Sequence, residues 1–416
     1  MCSIEEDDVL DDGMSSLMTP QEQISHSSQK GICHKCGQDG ELYKLNFREA
    51  ECRCCFLLFV NHKFRSTVGS SKALPRNAEI LLVFDGSSES IVLLDMLQKA
   101  QSESNFKRLH CDFKVLFIDD YEVYKSICDI NDYKCYIQQV KDFLLSYHNI
   151  KCYVTNLSSD INQEPFDIND MDIYLNRIME IEIVFANDIN NIQTSTSRNE
   201  FIKLRRKNLV ASMATFLRCK YAFIPTINIS IATDLLSAIV LGQGNNVAYD
   251  VAFKDDRLVN GIKIMRPIKD LSETEVLLYM RARNIKFFDR RDHVTYASSS
   301  LQRITESFIR NLQKNYTSTV STIIRTGNKI TSNNHIFKED DSEYKCCICN
   351  SSIINSKTLS AVRYSRYVSE RTSSISDLDT SYTKFLNITH KKNENLCHSC
   401  ENIRRDSDIN LIKRYL

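Results

Sequence analysis

Apolar residues in this chain gather into short continuous runs that alternate with stretches of helical periodicity. Residues 80–84 (ILLVF) form the first run, a small-residue turn over 85–90 follows, and a helical stretch covers 91–100. Residues 115–118 and 152–155 read as two further buried strands, with an amphipathic helix over 133–146 between them. The second half repeats the style, with a helix over 199–220, a strand over 221–224 and a helix over 233–241. Pro267 then precedes a capping box, Ser272 with Glu275, that opens a helix running to Arg283. Strands alternating with helices predict an α/β domain built on a parallel sheet.

Cysteines change this picture at both ends. Cys33-x2-Cys36 pairs with Cys52-x2-Cys55 across fifteen residues, and Cys346-x2-Cys349 pairs with Cys397-x2-Cys400 across 47. Two such doublets facing one another supply four soft ligands in the tetrahedral arrangement that zinc accepts. Gly37 and Gly40 provide turn chemistry for the first set. An iron–sulfur cluster takes the same four thiolates, and spacing does not separate the two. Cys54 and Cys347 lie inside doublets and could replace a neighbour. The expected organisation is an acidic disordered tail over 1–28, a four-cysteine module with a basic segment over 29–75, the α/β domain over 76–335, and a second four-cysteine module over 336–416. Within that last module, residues 350–385 are rich in Ser, Thr and Tyr and read as a mobile insertion carrying Arg363, Arg366 and Arg371.

Composition bounds the function classes. With 416 residues and 42% apolar content, the chain can bury a sizeable core. Sixteen cysteines, half of them in metal-type doublets, with no apolar leader at the start, predict a reducing compartment. No run of eighteen apolar residues marks a membrane span. Lys plus Arg equals Asp plus Glu at 53 each, yet the charge is segregated: acidic residues crowd 5–12, and His62, Lys63, Arg65, Lys72 and Arg76 follow the first cysteine set.

The turn after the first strand carries candidate chemistry. A loop between strand and helix directs backbone N–H groups at the positive end of a helix, an anion site in waiting. Residues 80–94, ILLVFDGSSESIVLL, resemble the pyrophosphate-loop (PP-loop) ATPase signature S-G-G-x-D-S. Gly86 and Ser90 match the first glycine and last serine, while Asp85 replaces the leading serine, Ser87 the second glycine and Glu89 the aspartate. Gly86, Ser87 and Ser90 are the candidate nucleotide contacts. A carboxylate at position 85 sets negative charge beside the phosphates the loop should hold, which argues against tight ATP binding.

The whole pattern comprises a four-cysteine module, His62-Lys63-Phe64-Arg65, the altered loop, Met265-Arg266-Pro267-Ile268 with its helix, and the terminal doublets. It resembles the cytoplasmic tRNA 2-thiolation protein 2 family over roughly residues 30–405. That resemblance implies a Rossmann-like PP-loop fold, of the adenine nucleotide alpha hydrolase type, flanked by zinc modules. It implies a cytoplasmic heterodimer with cytoplasmic tRNA 2-thiolation protein 1, the intact PP-loop partner. The pair would thiolate the wobble uridine of tRNAs for Lys, Glu and Gln, with sulfur from a thiocarboxylated ubiquitin-related modifier. Active relatives carry a C-x2-C doublet before an Arg-Arg helix, where this chain reads Thr194-Ser195-Thr196-Ser197-Arg198 before Arg205-Arg206. Their G-H-N-A-D-D segment stands here as residues 226–231, TINISI, without either acid. No catalytic residue is assigned, and Cys219 reads as a small core residue.

Three stretches could meet RNA phosphates: His62-Lys63-Phe64-Arg65; the helix with Lys203, Arg205, Arg206, Lys207, Arg218 and Lys220; and Arg281, Arg283, Lys286, Phe287, Phe288, Arg290 and Arg291. The first is favoured for its stackable aromatic, and Arg205 and Arg206 are favoured within the second. Each also has a plain reading as a solvated helix face. Two alternatives stand beside the binding subunit: an active ATP-dependent tRNA sulfurtransferase with an atypical loop, and a zinc-ribbon adaptor.

Overall fold

The computed structural model describes residues 29–45, 47–70, 73–102, 108–124, 130–244, 247–286, 288, 300–333, 345–351, 396–407 and 409–415. The acidic start, residues 352–395 with their three arginines, and Phe287, Arg290 and Arg291 lie outside the described residues.

The described residues open with a three-stranded antiparallel sheet, β1 (Gln29–Ile32), β2 (Asp39–Leu45) and β3 (Arg48–Cys52), followed by helix α1 (Arg53–Ser70). The chain then enters the α/β domain: β4 (Ala78–Phe84), α2 (Ser88–Ser102), β5 (Cys111–Asp119), α3 (Ile130–Leu145), β6 (Cys152–Asn156), β7 (Phe166–Asp167), α4 (Met171–Asn190) and α5 (Ser195–Phe216). Strand β8 (Tyr221–Phe223), α6 (Asn228–Val240), β9 (Lys254–Asp255), β10 (Lys263–Met265) and α7 (Glu273–Arg283) complete it. Helices α8 (Leu301–Asn315), α9 (Thr319–Asn333), α10 (His398–Asp406) and α11 (Ile409–Tyr415) follow.

Seven strands form the main sheet in the order β7-β6-β5-β4-β8-β10-β9. The five inner strands are parallel, and the two short outer ones are antiparallel. The β4–β5 ladder runs in register from Ala78↔Cys111 to Phe84↔Phe117. Ile80, Leu82 and Phe84 face one core with Val115 and Phe117, while Leu81, Val83, Leu116 and Ile118 face the other. Burial on both faces explains why these strands read as unbroken apolar runs. The chain reverses direction across the sheet between β4 and β8, so the carboxyl ends of those strands form the crevice where open α/β folds bind ligands.

Helix boundaries depart from the sequence reading: α2, α3 and α5 begin at Ser88, Ile130 and Ser195 rather than at 91, 133 and 199. Helix α5 stops at Phe216 rather than at 220, because Arg218 takes a left-handed φ of 57°. Helix α6 starts at Asn228, five residues before the expected Thr233. The capping box at α7 is present on both sides, with Ser272 accepting from Glu275 N and Glu275 from Ser272 N.

Candidate functional site

The loop after β4 is closed by its own side chains. Asp85 Oδ1 accepts from Ser87 N (3.0 Å) and from Ser87 Oγ (2.6 Å). Ser87 Oγ in turn accepts from Ser90 N (3.2 Å), and Ser90 Oγ donates to Ser87 O (2.9 Å). Burial, followed by the charge of Asp85, raises the pKa of Glu89. Two N–H donors that a phosphate would use, at 87 and 90, are thus directed at a carboxylate and a hydroxyl oxygen of the loop itself. Gly86 takes φ 77°, and a Cβ there would lie 2.0 Å from the hydroxyl oxygen of Tyr136. The close approach that glycine permits is therefore used by a phenol. Phe288 packs edge-on against Phe84, Tyr136 and Phe143, so this member of the third basic stretch belongs to the apolar cluster beside the loop.

Arg206 faces the same crevice and pairs with Asp120 (3.2 Å) and Asp85 (3.8 Å). Next to Asp120, Asp119 is buried and accepts from the hydroxyls of Tyr133 and Tyr174 (2.9 Å for the latter). Burial pushes its carboxyl up to about 6 against those hydrogen bonds.

The stretch that replaces the expected thiols caps helix α5 and docks the carboxyl-terminal module. Thr194 accepts from Ser197 N, and both hydroxyls donate to Asp406 Oδ2 (2.6 and 2.7 Å). Thr196 Oγ1 accepts from Leu301 N, and Gln302 reaches Thr196 O and Glu200. Asp406 and Glu200 border a cavity of about 190 Å³ between α5 and α10. The expected role of Cys219 as a core residue matches its position, 1% exposed.

Both cysteine sets converge. The sulfurs of Cys33, Cys36, Cys52 and Cys55 lie within 4.8 Å of one another, as do those of Cys346, Cys349, Cys397 and Cys400. Each set joins one turn to one helix start. Cys33 N–H donates to Gln38 O and Gly37 N–H to Cys33 O, with Gly37 at φ 72°. Cys346 and Ser351 make the corresponding turn, with Asn350 at φ 56°. Cys55 sits in the first turn of α1, and Cys397 is the N-cap of α10 with Cys400 in its first turn. Helix amino-terminal ends favour thiolate. The N–H of Cys52, 3.1 Å from Cys33 Sγ, holds that thiol down to about 6. The sulfurs of Cys36 and Cys52 are 3.5 Å apart, as are those of Cys349 and Cys397. Four thiolates at about 2.3 Å from a shared centre span this kind of spacing. A cubane cluster gives each thiolate its own iron and spreads the sulfurs farther apart. Each set fits one tetrahedral ion.

The RNA-contact expectations fare unevenly. Phe64 is a correction: it is 2% exposed, buried with Tyr43, Phe56, Val60 and Val68. Its spacing with residues 56, 60 and 68 on α1 is the apolar stripe of a packed helix, a signal present in the sequence. Lys63 donates to both oxygens of Glu275 at 2.8 Å and fastens α1 to α7. Arg53 adds a bond to Ala282 O, Arg281 one to Glu41, and Thr67 one to Asp270 (2.8 Å). Arg205 is the second correction, at 1% exposure, donating to the carbonyls of Leu157 (2.8 Å), Tyr415 (2.7 Å) and Ser159. A guanidinium so enclosed cannot reach a phosphate. Lys203 pairs with Asp234, and Lys207 lies near Asp250 and Asp255, whose main partner is Arg257. Arg283 holds Asp95 through two nitrogens. His62, Arg218 and Lys220 are exposed, and Arg65 is half-buried.

A family model described as cytoplasmic tRNA 2-thiolation protein 2 (CTU2) matches residues 300–402. Among solved structures, the U34-tRNA thiolase NcsA from Methanococcus maripaludis with its [4Fe-4S] cluster is similar in fold, with TM-score 0.55 at 16% identity. The likeness covers 78% of this chain and 93% of that one. Among curated proteins, cytoplasmic tRNA 2-thiolation protein 2 of Drosophila mojavensis is 41% identical over 415 residues, covering 98% of each chain. The proteins of the same description from Drosophila willistoni and Drosophila melanogaster are each 39% identical, over 97% and 98% of this chain and 99% of theirs. Likeness at that level from end to end establishes that the chain belongs to the cytoplasmic tRNA 2-thiolation protein 2 family.

Proposed function

We propose that this protein is the tRNA-binding, non-catalytic subunit of a cytoplasmic heterodimer that 2-thiolates the wobble uridine of tRNAs for Lys, Glu and Gln. The product is 5-methoxycarbonylmethyl-2-thiouridine. The catalytic partner is cytoplasmic tRNA 2-thiolation protein 1, and a thiocarboxylated ubiquitin-related modifier supplies the sulfur. A role in tRNA 2-thiolation follows from the family. The non-catalytic assignment is carried by one observation: the phosphate donors of the loop are occupied by Asp85 and Ser87, with the Tyr136 hydroxyl over Gly86. The Thr/Ser capping network at 194–197, in place of thiols, supports the same reading.

Zinc is the proposed ion in both modules, held by Cys33, Cys36, Cys52 and Cys55 and by Cys346, Cys349, Cys397 and Cys400. A single shared centre suits the sulfur spacing better than a cluster. Bound there, zinc fixes the two turns against the helix starts and adds no chemistry to the transfer. No helix among the described residues is long and apolar enough to cross a membrane.

The test is 2-thiouridine content at the wobble position, by mass spectrometry, in cells depleted of this protein and complemented with variants. Loss on depletion with full rescue by Asp85→Asn/Glu89→Gln and by Ser90→Ala is expected. Undiminished thiolation on depletion refutes the assignment. Failure of Ser90→Ala to rescue, with the partner still bound, would instead favour an active atypical loop.

A further inference from the structure

With Phe64 buried, the stackable aromatics of the first module lie elsewhere. Phe47, at the turn between β2 and β3, is 64% exposed. Its ring centroid is 6.4 Å from that of Phe59 on α1, and the planes are tilted by 58°. The Arg48 guanidinium sits 4.0 Å over the Phe59 ring and also pairs with Glu51. On α1, residues 59, 62 and 63 recur at i, i+3 and i+4 and so share a face. His62 is exposed there, and the Lys63 ammonium lies 5.6 Å from the Phe59 centroid. Leu58 beside them is 66% exposed.

An exposed ring beside a guanidinium already seated over a second ring is the arrangement that single-stranded RNA uses. An unpaired base stacks on the aromatic face, and the neighbouring cation meets its phosphate. The ion pair and the cation–π contact hold Arg48 in place before a ligand arrives, so little side-chain freedom is lost on binding. The Arg48 guanidinium and the exposed His62 ring beside Phe47 are the groups that would meet phosphate.

We propose that Phe47, Arg48 and Phe59, with His62 beside them, form the surface on which this chain holds one unpaired base of an RNA loop. Phe47 stacks on the base, and Arg48 and His62 contact the adjoining phosphates. The inference rests on the reading of the chain as a tRNA-binding subunit and adds the residues that make the contact.

The test is fluorescence anisotropy with the full chain, alone and co-expressed with its proposed partner. The probes are an anticodon stem-loop and a fully paired RNA duplex of equal length. Phe47→Ala is expected to weaken stem-loop binding by about 5- to 100-fold, while Phe47→Tyr retains it. Metal content and far-UV circular dichroism stay unchanged, and so does the slope of affinity against salt, since the ring carries no charge. Arg48→Gln lowers that slope by about 0.7. Wild-type binding with Phe47→Ala within twofold overturns the surface but leaves the tRNA reading intact. An equal loss on the duplex overturns base stacking. Loss of partner capture with stem-loop affinity preserved assigns the patch to a protein and also overturns it. Absence of stem-loop binding by the wild type in both forms defeats the tRNA reading itself, and the inference with it.

Discussion

The Lys63–Glu275 pair links the first cysteine module to the α/β domain, and its energetics can be worked from the geometry. Glu275 has no exposed side-chain surface, while the Lys63 side chain keeps 25% of its own. Glu275 also closes the capping box through Ser272 N at 2.7 Å. Removing one partner of a fully buried pair costs about 3–5 kcal/mol. Lys63→Met leaves the enclosed carboxylate with the cap alone and should cost about 3 kcal/mol. Glu275→Gln keeps a capping-competent side chain and leaves an ammonium that can turn toward water, so about 1–2 kcal/mol is expected. Glu275→Ala loses the cap as well, adding about 1 kcal/mol. Because both single changes break one interaction, Lys63→Met/Glu275→Gln should be more stable than the sum of the two by about 1–2 kcal/mol. The chain has no tryptophan, so denaturant unfolding is followed by far-UV circular dichroism, with amide exchange over residues 53–70 and 273–283 as the local readout. Additive single changes, or a Lys63→Met cost no greater than that of Glu275→Gln, would refute the reasoning.

Arg205→Lys keeps the charge but loses the fork that serves three carbonyls, so a loss of about 2–3 kcal/mol in unfolding free energy is expected. RNA affinity of the folded protein should be unmoved, and a weakened affinity would return Arg205 to the interface. Asp119, with a folded pKa of about 6 against 3.8 unfolded, favours the protonated form in the fold. Its contribution is fully present below pH 4 and is lost as pH rises through 6, on the order of 2–3 kcal/mol. Asp119→Asn should therefore be more stable than wild type at pH 7.5 and equal to it near pH 4, checked by denaturation at both pH values. Cys33→Ser/Cys36→Ser should halve the metal bound per chain and raise amide exchange over residues 53–70, and unchanged metal content would contradict the four-cysteine assignment.

The sequence by itself determined four of the five inner strands (β4, β5, β6 and β8, but not the three-residue β10), the capping box at Ser272 and the pairing of the cysteine doublets. Each rests on a local pattern: unbroken apolar runs, a three-residue offset, a two-residue gap. It also held the evidence against Phe64 as a base-stacking residue, because 56, 60, 64 and 68 repeat at helical spacing. The two-residue strands β7 and β9 are too short to show a period at all. What tertiary structure alone decided was the fate of the cations. Arg205 is buried by carbonyls at 157, 159 and 415, and Lys63 is claimed by a carboxylate at 275. The closure of the loop was divided between the two levels. Asp85 and Ser87 act within three residues and are visible in the motif, whereas Tyr136 arrives from α3. A cation's partner depends on which carboxylates and carbonyls packing brings within about 3 Å, and that proximity is set by the fold of the whole chain rather than by the residue's neighbours in sequence.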